Sequence, residues 1–238
     1  MIEIENSLRR LGTDRIDLYQ THWPAVPPDA TPIADTMAAL LKLKEQGKVR
    51  ALGVCNVSPA ELDENLRHGG IVSDQFRYSM LHRAPEQDIL PDCARKGLAT
   101  LTYMSLEQGL LTGKVGMDRV FNPGEFRTDA AWNPWFLLSN RQRVLDLLAG
   151  WKALTDRYAC TLAQLVIAWT AAQAGGGFEP APYGTSWLEQ PHHRGAWYYA
   201  CETDLGYCAA LRSALTVLAD DPIFGRFCCG WEPTMSRA

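Results

Sequence analysis

The sequence predicts an α/β fold built on parallel strands, and three observations carry that expectation. Short apolar runs at residues 16–22, 49–54, 71–76 and 98–103 alternate with segments of helical period. Helix start and stop residues bracket those intervening segments, which is the arrangement of successive βαβ units around a parallel sheet. The chain has 238 residues, of which 47% are apolar and 21% charged. That length falls within the compact end of the range for one α/β barrel, and a core of that size needs no disulfide staples.

In chain order, residues 3–11 read as the end of a helix closed by Gly12, and 16–22 as a strand. Thr31 and Pro32 open the next helix, with Thr31 as N-cap and Pro32 at the first helical position. Its apolar stripe is Ile33, Met37, Leu40 and Leu41, and Gly47 stops it. Residues 49–54 form the second strand. Ser58, Pro59 and Glu61 make a capping box with proline at the first position, turning Leu62 and Leu66 inward. A weaker strand at 71–76 follows, then a helix over 86–96 and a strand over 98–103. Residues 105–138 contain Gly, Pro, Trp132, Trp135 and Phe136, and are too long for an idle connection; they read as a functional loop over one face. Ser139 starts a helix carrying Val144, Leu147, Leu148, Trp151 and Leu154, and Thr161 caps another that carries Leu165, Val166 and Trp169. Trp151 and Trp169 read as core.

Charge adds little. The net charge of −4 comes without a long run of one sign, so no electrostatic footprint for nucleic acid or an anionic membrane is expected. The first residues are acidic and lack the apolar stretch of a signal peptide, and no run approaches 18 apolar residues. Seven cysteines without a secretion signal read as reduced thiols in a cytoplasmic protein. Four of them, Cys201, Cys208, Cys228 and Cys229, fall after residue 190. His192, His193, Cys201 and Cys208 lack the close cysteine pair of a structural zinc site, and no metal is expected.

Active sites of parallel α/β barrels collect at the C-terminal ends of the strands. Those ends carry His22-Trp23, Cys55-Asn56, Gln75 and Tyr103, polar or aromatic groups just past apolar runs. Any one of them alone is better read as a loop residue satisfying local backbone. Four in register point to a ligand site.

The same residues carry a resemblance. Glu5 to Asp14, then Ile16-Asp17-Leu18-Tyr19 and His22-Trp23-Pro24, resemble the aldo-keto reductase family. So do Gly53-Val54-Cys55-Asn56-Val57-Ser58, Gln75-Phe76-Arg77-Tyr78-Ser79, Gly109-Leu110-Leu111-Thr112-Gly113-Lys114 and Gly184-Thr185-Ser186 with Glu189-Gln190. The resemblance implies a TIM-type (α/β)8 barrel that binds extended NADPH and reduces small aldehydes and ketones by hydride transfer. It implies that His22 orients and polarises the carbonyl and that Trp23 walls the substrate pocket. Asn56 and Gln75, with Cys55 where serine is usual, would hold the nicotinamide carboxamide, and Tyr103 would stack on its ring. Ser105, Leu106 and Gly109 would wrap the pyrophosphate, and Gly184, Thr185 and Ser186 would bind the adenosine 2′-phosphate.

The resemblance also sets limits. The family's catalytic tyrosine, lysine and aspartate lie upstream of the strand that ends at His22; here 21 residues precede it and none is lysine. About five of eight strands are expected, the fifth at 178–183 despite its two prolines. The expected organisation is an N-terminally truncated, incomplete barrel over 1–190 and a divergent tail over 191–238, with only 209–218 helical there. The chain is then expected to be inactive or weak as a reductase, with open sheet edges that invite self-association. A non-catalytic nucleotide-binding or scaffold module, or a gene fragment without independent function, stand as alternatives.

Overall fold

The computed structural model describes residues 2–26, 28 and 30–174. Four parallel strands lie side by side in chain order: β1 (Ile16–Gln20), β2 (Val49–Cys55), β3 (Ile71–Arg77) and β4 (Ala99–Tyr103). Helix α1 (Ile2–Leu11) precedes β1; α2 (Ile33–Glu45), α3 (Pro59–His68) and α4 (Ile89–Lys96) are the crossovers between successive strands. After β4 come three short 3-10 turns, then α5 (Leu138–Gly150), α6 (Lys152–Arg157) and α7 (Leu162–Ala174). The parallel half-barrel expected from the alternation is therefore present. The fifth strand at 178–183, the helix at 209–218 and the whole tail lie outside the described residues.

Residue identity explains most boundaries. Ser58 accepts a hydrogen bond from the Glu61 amide while the Glu61 carboxylate takes the Ser58 amide, a complete capping box. Thr161 and Gln164 do the same at α7. Gly97 ends α4 in the left-handed conformation, at φ +66°. The start of α2 departs from expectation. Pro32 is extended, with ψ 143°, so it sits at the cap position and the helix begins at Ile33; Thr31 caps nothing. β1 stops at Gln20, leaving His22 and Trp23 in the following loop. The segment 86–96 divides into a 3-10 turn (Ala84–Gln87) and α4, because Asp88 leaves helical geometry and its carboxylate accepts from the Ile89 amide. The helix expected from Ser139 onward breaks at Trp151 into α5 and α6.

The sheet has two distinct faces. On one, Leu52, Val54 and Phe76 pack under the helices with Met37, Leu40, Leu43, Leu62, Ile89 and Cys93. Asp74 lies on this face too, fully buried, with the Cys93 thiol of α4 donating to Oδ2 at 3.9 Å. The opposite face carries Gln20, Gly53, Cys55, Ser73 and Gln75, as strand alternation requires. A Cβ built on Gly53 would lie 2.4 Å from Ser73 Oγ and 2.9 Å from Gln20 Cγ. Gly53→Ala should therefore destabilise the chain by about 1–3 kcal/mol through overpacking; a chemical-denaturation midpoint equal to wild type would show that the interior face is looser than this.

Trp151 and Trp169 are core residues, as expected. Trp169 stacks on Tyr78 with ring centroids 5.7 Å apart, and the Arg83 guanidinium lies over the Trp169 ring, 5.4 Å from its centroid. Residues 105–138 are ordered by side chains that bind backbone carbonyls. Buried Arg141 of α5 donates to the carbonyls of Arg119 (2.8 Å) and Phe136 (3.0 Å), and buried Asn133 donates to that of Phe126 (2.8 Å).

Candidate functional site

The C-terminal ends of the four strands converge on one small region. Asn56 follows β2 with φ +57°, a left-handed conformation that asparagine tolerates better than most residues. Its amide N–H donates to the Gln75 carbonyl at 2.8 Å, pinning the turn to β3. Its side chain is a three-way clamp: Nδ2 donates to the His22 carbonyl (3.0 Å) and to Cys55 Sγ (3.1 Å), and Oδ1 accepts from the Tyr103 hydroxyl (2.7 Å). One residue thus joins the ends of β1, β2 and β4. Burial raises the pKa of Tyr103, which keeps its hydroxyl protonated and donating. Burial, then the Asp74 charge, raises Cys55 to about 11, so it is a neutral thiol at this site.

Gln75 is held from the other side. Gln20 Nε2 donates to Gln75 Oε1 at 2.9 Å, while the Gln75 amide nitrogen makes no hydrogen bond within the described residues and is free to donate to a ligand oxygen. Ser105 Oγ lies 3.3 Å from Thr102 Oγ1. The Leu106 carbonyl accepts from the amides of Gly109 (3.0 Å) and Leu111 (3.2 Å), and Gly109 is left-handed at φ +95°. His22 is exposed, its ring 6.0 Å from that of Trp23 and tilted by 64°. Trp23, 48% exposed, meets Trp132 edge-on at 6.4 Å. Of the residues expected from sequence, His22, Trp23, Cys55, Asn56, Gln75, Tyr103, Ser105, Leu106 and Gly109 fall around the strand ends; Gly184, Thr185 and Ser186 lie outside the described residues.

A cavity of about 520 Å³ opens beside Asn56 and Tyr103, within the range of small-ligand sites. It is lined by residues that sequence reasoning assigned no role: Arg77, His82, Trp132 and Trp135. Two buried N–H groups on that lining, Arg77 Nε and Trp135 Nε1, have no acceptor among the described residues. Burial, then the Arg77 charge, lowers the pKa of His82 and favours its neutral form. Strand alternation from Gln75 was the available signal for Arg77. Nothing local marked Trp132 and Trp135 beyond their place in the long loop.

Tyr19 does not join this group. It alternates with Gln20 along β1 and so lies on the helix-facing side, packed against the core. Among the described residues His22 makes no side-chain hydrogen bond.

Residues 1–183 match the Aldo/keto reductase family. The chain belongs to that family. A relative named as an NADH-specific methylglyoxal reductase, from Escherichia coli strain K12, is 44% identical over 172 residues, which is 72% of this chain and 51% of the relative. An aldo-keto reductase of Bacillus subtilis is 34% identical over 174 residues, 73% of this chain and 51% of its own length. Among solved structures, a glycerol dehydrogenase from Gluconobacter oxydans superposes with TM-score 0.68 at 27% identity, covering 99% of this chain and 67% of that one. The chain spans about half the length of these curated relatives. The aldo/keto reductases are NAD(P)H-dependent oxidoreductases with TIM-type barrels, and four parallel strands in sequential order are a consistent part of that architecture. Among the described residues no helix is long and apolar enough to cross a membrane.

Proposed function

We propose that the strand-end cluster binds the nicotinamide end of NAD(P)H and serves the reduction of a small carbonyl compound. The observation that carries the reading is the Asn56 clamp beside an unpaired Gln75 amide and the Tyr103 ring. A carboxamide needs a donor for its oxygen and an acceptor for its N–H₂. Gln75 Nε2 supplies the first, and Asn56 Oδ1, with one lone pair still open, the second. The Tyr103 ring supplies an apolar platform, and its orientation is locked by its bond to Asn56. When bound, the dinucleotide supplies the hydride. His22, beside Trp23, offers a ring N–H to the carbonyl oxygen as negative charge develops there.

Ser105, Leu106 and Gly109 follow as the pyrophosphate loop, and Gly184, Thr185 and Ser186 as candidates for the adenosine 2′-phosphate. Whether the chain takes NADPH or, like the relative named above, NADH depends on that second group. Cys55, Cys93 and Cys160 are free thiols, as the reduced cysteines of a cytoplasmic enzyme would be. Among the described residues β1 and β4 each pair on one side only, and these open edges are candidates for self-association. Among the described residues no tyrosine–lysine pair accompanies His22, and a lone histidine that must both orient the carbonyl and serve proton transfer is a weak acid–base catalyst.

Titration of the 238-residue chain with NADH and NADPH, followed by nucleotide fluorescence, should saturate for at least one of them. Methylglyoxal-dependent oxidation of the same nucleotide should be slow, and His22→Ala should lower it by about 100-fold or more. Absence of saturable binding by either nucleotide would favour the fragment alternative over both enzyme and binding module. Saturable binding without any turnover would favour the binding module.

A further inference from the structure

We propose that Arg77 is a positioning residue that couples the loop wrapping the nucleotide to the aromatic wall beside His22. The proposal rests on the nucleotide-site reading above and goes beyond it, because it assigns a route between two parts of that site.

Arg77 ends β3 and is 8% exposed. Its guanidinium forks between two separate segments. Nη2 donates to Glu107 Oε2 at 2.6 Å, and Nη1 donates to the Trp132 carbonyl at 2.5 Å. Glu107 belongs to the loop that carries Ser105, Leu106 and Gly109, is fully buried, and also accepts from the Ser79 hydroxyl. Ser79 Oγ is itself fixed by the amides of Leu81 (3.2 Å) and His82 (2.9 Å). The other branch reaches Trp132, whose ring meets Trp23, which in turn meets His22.

The nucleotide loop needs an external restraint. Met104, Glu107 and Gln108 adopt φ of +59°, +44° and +50°, left-handed conformations that cost non-glycine residues energy and persist only where surroundings fix them. The Arg77–Glu107 pair and the Gln108–Asn133 bond (2.7 Å) are those surroundings. A ligand that seats on residues 105–109 therefore moves or stiffens Glu107, the guanidinium follows, and the Trp132 carbonyl follows the guanidinium. A planar fork can hold both acceptors at once; a lysine ammonium keeps the charge opposite Glu107 but cannot span to the carbonyl in the same geometry.

Hydrogen exchange on the full chain, with and without saturating NADH or NADPH, tests this. In wild type, nucleotide should slow amide exchange about fivefold or more both in residues 104–109 and in residues 130–135. Arg77→Lys should keep the response at 104–109 and lose it at 130–135. Glu107→Gln, which preserves shape while removing the charge, should shrink the 130–135 response to less than half and serves if Arg77→Lys does not fold. A wild-type-sized response at 130–135 in the folded variant overturns the coupling while leaving the nucleotide site standing. A wild type that binds neither nucleotide removes the site reading and the coupling with it.

Discussion

Asp74→Asn should stabilise this chain at pH 8 by about 2–4 kcal/mol and flatten its stability between pH 4 and pH 7. The carboxyl is fully buried between β3 and α4, where Oδ1 has no partner among the described residues and Oδ2 accepts only from the Cys93 thiol and the adjoining backbone. Burial raises its pKa from 3.8 to about 7 against the smaller opposing effect of those hydrogen bonds. The folded state thus holds a proton that the unfolded chain has already released above pH 4. Stability contributed by this group is full below pH 4, falls as pH rises to 7, and is lost above it, the reverse of a salt-bridged aspartate. At 1.36 kcal/mol per pH unit the span from 3.8 to about 7 amounts to roughly 4 kcal/mol. Asparagine keeps the shape and carries no charge at any pH. Urea unfolding at pH 5 and pH 8, with equal m-values, reads the effect directly. A wild-type midpoint that does not fall between those pH values, or one that Asp74→Asn tracks in parallel, would show that the carboxylate is solvated or paired in the folded state.

Asp74 also shows what the sequence could and could not carry. The β3 run Ile71 to Phe76 reads as a weak strand because Ser73, Asp74 and Gln75 interrupt it, yet it pairs with both β2 and β4. Periodicity and capping residues act over a few positions, so the helices, the strands and even the polar residues at strand ends are readable from local spacing. His22, Asn56, Gln75 and Tyr103 were found that way, and they do come together. The Asn56 clamp was not readable, because it depends on a left-handed backbone that turns one side chain toward three strands. Thr31 was misread for a related reason: proline satisfies the pattern at either the cap or the first helical position, and only ψ decides between them. The Arg77–Glu107–Trp132 bridge joins residues 30 and 55 positions apart, and no local rule pairs them.

That bridge yields the other large effect. Glu107→Ala should cost about 3–5 kcal/mol, because it leaves the Arg77 guanidinium buried without its counter-charge. Ser79 loses its acceptor at the same time, and the left-handed residues 104, 107 and 108 lose their main restraint. Removing both charges is a different experiment. Arg77→Met combined with Glu107→Leu leaves no uncompensated ion, and a buried pair replaced by apolar groups of similar volume is commonly neutral or stabilising. The double variant should therefore recover most of the stability lost in Glu107→Ala, with a melting temperature roughly 10 °C above it. It should not recover the nucleotide response of residues 130–135, because an apolar contact cannot hold the Trp132 carbonyl. Recovery of stability without recovery of coupling would separate what the pair does for the fold from what it does for the site. If the double variant is as unstable as Glu107→Ala, the cost lies in the loop backbone and the Trp132 carbonyl instead of in the unpaired charge.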